Sequence, residues 1–130
     1  MSDQRFTQGM AVRRSVLGND HVDRAEARKT EFDEGFQRYI TESAWGAVWT
    51  SDVIDRRTRS LITIALLAGL GHFEELAMHI RATRNTGATA AEVKEALMHV
   101  AVYAGVPAAN RAFAIAKQVY VELDKPAEPK

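Results

Sequence analysis

Between Gly71 and Gly87 the chain reads GHFEELAMHIRATRNTG, and its apolar spacing predicts a helix of about four turns that Gly87 ends in the left-handed conformation. At about 100° per residue, Phe73, Leu76, Ala77 and Ile80 share one apolar arc, while His72, Glu75 and His79 fall together on its edge. That edge is where a cleft would meet the core. Two imidazoles and a carboxylate at i, i+3 and i+7 can reach one small molecule, and partial desolvation at such a border tunes their pKa values.

Helices extend from this segment in both directions. Thr89 followed three residues later by Glu92 is a capping box, and the helix it starts, roughly 90–104, is apolar nearly all round: Val93, Ala96, Leu97, Met98, Val100, Ala101 and Val102. We expect it to be buried on several sides, by its own core and by another subunit. Its exceptions, His99 and Tyr103, lie one turn apart on one face. Gly105 ends it, and Pro107 suits the first turn of a last helix in which Ala108, Ala109, Ala112, Ala114 and Ala116 allow close approach. The tail KPAEPK, residues 125–130, is expected to be flexible.

Upstream, Asp55-Arg56-Arg57-Thr58-Arg59 leads into LITIALLAGLG. Arginines near a helix N-terminus oppose its dipole, so they call for an anion nearby, a Glu or a carboxylated substrate, unless most are simply solvated with one in a salt bridge. Glu31 to Thr41 carries Phe32, Phe36, Tyr39 and Ile40 at helical spacing, which predicts a helix burying aromatics on one face. Trp45 and Trp49 follow, to cap a core or an interface or to line a substrate pocket. Residues 4–16 read as a short helix docked through Phe6, Met10 and Val12 or Val16 and ended by Gly18-Asn19-Asp20; His21 to Thr30 reads as an exposed helical turn or a connector. With no strand or hairpin signal, the expectation is an all-α, single-domain bundle of five or six helices over 1–130, with 1–30 as an N-terminal extension.

Seventeen basic and seventeen acidic residues cancel, so no overall field favours nucleic acid or an anionic membrane; small molecules and copies of the same chain are the expected partners. Cysteine is absent, which excludes disulfides, thiolate metal sites and thiol redox cycling. The longest apolar run, Leu61 to Leu70, is about half a membrane span, and MSDQRFTQGM lacks the apolar centre of a secretory signal. A cytoplasmic protein is expected.

The HxxExxxH spacing of His72, Glu75 and His79 invites a metal, but further ligands would have to come from His99 and distant carboxylates, so we expect none. A bland reading has Glu75 and His79 hydrogen-bonded at i, i+4 with no chemistry. Against it stands accumulation: His72, Glu75, His79, His99 and Tyr103 lie on two consecutive helices joined by a short turn, a set suited to proton transfer in one cleft. No phosphate-binding loop, dinucleotide fingerprint or Ser-His-Asp elbow occurs.

The run DRRTRSLITIALLAGLGHFEELAMHIRATRNTGATAAEVKEALMHVAVYAGVPAANRAFAIA, residues 55–116, resembles the carboxymuconolactone decarboxylase family, which shares the all-α fold of the alkylhydroperoxidase-like proteins. ELAMHIR, the NTGAT turn and HVAVYAGVPAA carry the likeness. It implies a cofactor-free enzyme of the protocatechuate branch of the β-ketoadipate pathway, a ring-shaped homo-oligomer, hexamer or trimer, that decarboxylates a lactone dicarboxylate. Redox relatives have CxxC followed by histidine, where this chain has His72, Glu75 and His79, and a glutamate near Ser60. The resemblance therefore implies no thiol peroxidase activity. It further implies His79 as proton donor, Glu75 as the group that orients it, and His72, His99 or Tyr103 as hydrogen-bond donor to the lactone oxygen. Arg59, Arg81 or Arg84 would hold substrate carboxylates, although Arg81 lies opposite His79 on the helix and equally suits an intersubunit salt bridge. Trp45, Trp49 and Phe73 would form the less polar wall. The alternatives are a non-redox lactone isomerase or hydrolase, and a non-catalytic small-molecule-binding oligomer on the same fold.

Overall fold

A computed structural model describes residues 2–124; the expected flexible tail at 125–130 lies outside the described residues. Among the described residues there are eight α-helices and one π-helix and no strand. They are α1 (Ser2–Leu17), α2 (Asn19–Arg28), α3 (Glu34–Ile40), the π-helix Thr41–Val48, α4 (Arg56–Leu70), α5 (Phe73–Arg81), α6 (Thr83–Thr86), α7 (Ala90–Tyr103) and α8 (Val106–Asp124). The all-α expectation holds, whereas five or six helices is too few. Segments read as one helix or as a connector are divided or more fully formed. The chain separates between Arg59 and Ser60 into two compact units.

In the first unit, α1 crosses the π-helix backbone to backbone. A Cβ on Gly9 would strike the Thr41 carbonyl and come within 2.9 Å of the Gly46 nitrogen, and one on Gly46 would lie 2.5 Å from the Arg5 carbonyl oxygen. Two glycines are therefore what allows the crossing. The widened turn is visible in the bond from the Trp49 N–H to the Ala44 carbonyl, 2.9 Å, five residues back. The hydroxyls of Thr41 and Ser43 donate to the carbonyls of Gln37 and Tyr39, competing with the regular ladder where the widening begins. Trp45 and Trp49 are buried, their ring centroids 5.1 Å apart.

His21 to Thr30 is mostly helix rather than connector, because Val22 is fully buried and anchors α2. The aromatic stripe reverses expectation. Phe32 is 100% exposed, and Phe36 and Tyr39 are exposed too. The cause is Arg13, a buried guanidinium that donates to Thr41 Oγ1 at 3.4 Å and Gln37 Oε1 at 3.3 Å and lies 3.8 Å from Glu26. Its need for polar partners turns the Gln37 and Thr41 edge inward and the aromatic edge outward. Burial pushes the Arg13 pKa down, with Glu26 acting against that.

Asp55 opens α4 by accepting the Thr58 N–H at 2.7 Å. The arginines that follow have found oxygens: Arg56 donates to Ser15 Oγ at 2.6 Å and Arg59 to the Ser51 carbonyl at 3.4 Å.

In the second unit α8 lies along both α5 and α7. The core joins Ile64 and Ala68 of α4, Leu76 and Ile80 of α5, Val93, Leu97 and Val100 of α7, and Ala109, Ala112, Ala116 and Val119 of α8. Small α8 side chains permit the close approach. The predicted four-turn helix is divided at Ala82, where the Thr83 hydroxyl captures the Ile80 carbonyl at 2.6 Å; Gly87 then ends α6 at φ 86°. The Thr89–Glu92 capping box is formed in both directions, and Gly105 has φ 113°. The core covers only one side of α7 and α4. Met98 and Val102 remain exposed, as do Ile62, Leu66 and Leu70. Among the described residues no helix is long and apolar enough to cross a membrane.

Candidate active site

α5 carries the densest chemistry, and its burial pattern separates three residues that share one edge. His79, in the last turn between the fully buried Leu76 and Ile80, is only 7% exposed. His72 takes the N-cap position. Its backbone accepts the Leu76 N–H at 3.0 Å and donates to the Leu67 carbonyl at 2.9 Å, while the residue itself is exposed. The Glu75 side chain is exposed and makes no hydrogen bond or ion pair among the described residues, so the bland reading of a Glu75–His79 hydrogen bond does not account for the pair. Among the described residues no three His, Asp or Glu side chains converge as a metal site would require.

On α7 the His99 and Tyr103 rings stack with centroids 4.8 Å apart and planes tilted by 32°, both residues facing solvent. α6 lies between α5 and α7 in the chain, and α8 is the helix that runs along both. The short-turn argument for direct α5–α7 apposition missed α6. A Cβ on Gly69 would contact the Ala104 methyl at 3.4 Å, which places the end of α4 beside the end of α7. Leu66 and Leu70 of α4, Met98 and Val102 of α7 and Val106 at the start of α8 are exposed apolar side chains on these helices.

The arginine candidates differ in their partners. Arg81 donates from two nitrogens to Glu122 Oε2, both at 3.3 Å, tying α5 to α8 within one chain. It lines a hollow of about 200 Å³ shared with Phe73, Glu74 and Arg111. Phe73 thus belongs to the Arg81 side of α5. Arg84, exposed on α6, has no ion pair among the described residues. Arg59, Trp45 and Trp49 belong to the first unit. Arg111 was missed by sequence reasoning; its signal was a lone cation in the alanine-rich run AANRAFAIA.

The chemistry on offer is the His79 imidazole screened by core, the exposed His72, the exposed His99 stacked on the Tyr103 phenol, and the Arg84 guanidinium, without a thiol. Among the described residues this is an all-α protein with imidazole, phenol and guanidinium groups at its surface. It belongs to the carboxymuconolactone decarboxylase family, whose sequence profile matches residues 34–118. Over 121 residues it is 46% identical to the 4-carboxymuconolactone decarboxylase of Acinetobacter baylyi, spanning 93% of this chain and 90% of that protein. It is 38% identical over 118 residues to the nitrosuccinic acid decarboxylase of Metarhizium robertsii, spanning 91% of this chain and 82% of the relative. A 4-carboxymuconolactone decarboxylase sequence from Pseudomonas putida is 49% identical over 43 residues, 33% of this chain and 90% of its own length.

Proposed function

We propose that this protein is a carboxy-lyase that decarboxylates 4-carboxymuconolactone to the β-ketoadipate enol-lactone without a cofactor. The observation that carries the reading is the 46% identity to a decarboxylase of that name across 93% of the chain. The relative named for nitrosuccinic acid shares the loss of CO2. Both names point to one reaction class.

The residues suit the reaction. As the carbon–carbon bond to the ring carboxylate breaks, its electron pair moves through the ring double bond into the lactone carbonyl and CO2 leaves. A dienolate oxygen must then be stabilised and a carbon protonated. His79 is the proton donor in this reading, since its burial keeps bulk water from competing, and it regains its proton after turnover. His72, His99 or Tyr103 donates a hydrogen bond to the lactone oxygen. Arg84 is the preferred anchor for the remaining carboxylate, because Arg81 is already paired with Glu122.

The exposed apolar side chains at the ends of α4 and α7 support a homo-oligomer, hexamer or trimer, in which a neighbouring copy covers the face that carries His99 and Tyr103. Decarboxylation benefits from such cover, since the leaving carboxylate is destabilised where water is excluded.

The test is CO2 release from freshly generated 4-carboxymuconolactone, with nitrosuccinic acid in parallel and a chelator in both. We expect release from the lactone that survives the chelator. Lactone consumed without CO2 would establish an isomerase or hydrolase instead. No turnover by the folded protein would leave a binding protein on the same fold.

A further inference from the structure

Away from the candidate site, the first half of α7 and the second half of α8 enclose an apolar trough of about 390 Å³, with Val93, Leu97 and Ala116 buried along it. Lys94 stands on one wall and Lys117 on the other, both exposed and neither ion-paired among the described residues. In an antiparallel pair with these ends, the helical register puts the two lysines at the same level. Val121 forms part of the lip and is 61% exposed. The trough is thus an apolar slot with two unspent ammonium groups on its walls and one carboxylate, Asp124, also in its lining.

The same chain carries the complementary object. Phe32 is wholly exposed in the turn before α3, and Phe36 and Tyr39 continue the stripe at 61% and 67%. Glu31 and Glu34 flank Phe32, and neither has an ion pair among the described residues. An exposed aromatic edge bordered by carboxylates matches an apolar slot bordered by ammonium groups in both polarity and charge.

We infer that the aromatic edge of Phe32 and Phe36 in one copy seats in the α7–α8 trough of a second copy, with Glu31 and Glu34 against Lys94 and Lys117. The contact joins two different surfaces, so each copy gives one aromatic edge and receives one. Such a head-to-tail contact builds a ring where its rotation closes and a filament where it does not. The inference rests on the self-association proposed above and specifies a surface for it.

The absence of cysteine makes the test clean. Phe32→Cys and Val121→Cys are introduced into separate, differently tagged copies, co-expressed and mildly oxidised; Ala27→Cys, on the exposed side of α2, replaces Phe32→Cys in the control. Circular dichroism confirms folding. We expect an interchain disulfide for the first pair and none for the control. Lys94→Glu with Lys117→Glu should weaken association by about tenfold or more in sedimentation, and adding Glu31→Lys with Glu34→Lys should restore it. An oligomer of normal size with no disulfide between the two tags, or with one as abundant in the Ala27→Cys control, would overturn the inference while leaving self-association intact. A monomer by sedimentation would overturn both.

Discussion

His72 and His79 stand two turns apart on one edge of α5, yet the first faces solvent and the second is 7% exposed. On the proposed reaction the difference gives them different work. A proton donor acts on a carbon best where water cannot compete, and a peripheral donor needs only to reach an oxygen. We therefore expect His79→Gln to lower CO2 release by about a hundredfold or more, and His72→Gln by about tenfold or less, in single-turnover measurements. Equal losses in the two variants would mean that burial does not decide the role.

The Arg81–Glu122 pair predicts a contrast between arginines. With the two side chains 46% and 42% exposed, the pair contributes about 1 kcal/mol or less to stability, and its guanidinium is already occupied. Arg81→Gln should leave KM within about threefold of the parent, whereas Arg84→Gln should raise it about tenfold, the scale of one charge-assisted bond. Steady-state kinetics across substrate concentration separates these outcomes. The reverse ranking would make Arg81 the anchor.

Two glycines should respond oppositely to alanine. Gly9→Ala forces a methyl against the Thr41 carbonyl and the Gly46 nitrogen, so it should cost about 1–3 kcal/mol and lower Tm. Gly35, in α3, has nothing within 4 Å of an added Cβ. Gly35→Ala should raise stability by up to about 1 kcal/mol through helix propensity. Thermal and urea melts of the two variants check both signs.

Tyr120 ties stability to alkaline pH. Burial pushes its phenol pKa up, with the Thr83 side chain acting against that shift. Because the folded value is raised, the unfolded chain ionises first, so the contribution is complete below the unfolded value, about 10, and is lost as pH rises through the folded one. Tyr120→Phe should flatten the alkaline limb of a urea-denaturation series and leave its neutral region nearly unchanged. An unaltered alkaline limb would assign the loss to other groups.

Features that depend on neighbours along the chain were legible in the residues alone. Thr89 and Glu92 cap α7 because their side chains reach backbone groups three residues away, Gly87 and Gly105 end helices because they adopt positive φ, and Leu76 and Ile80 are core because apolar side chains recur with the helical period. The family likeness was legible in the same local runs. Periodicity sets angles between side chains on one helix, but it does not say where the next helix lies. Only tertiary structure turned Phe32, Phe36 and Tyr39 outward, since the inward edge was taken by partners for a buried Arg13 twenty-four residues before Gln37. It likewise broke the α5 segment at Ala82, left Glu75 apart from His79, and gave Arg81 to Glu122, forty-one residues away, because these outcomes depend on packing between helices.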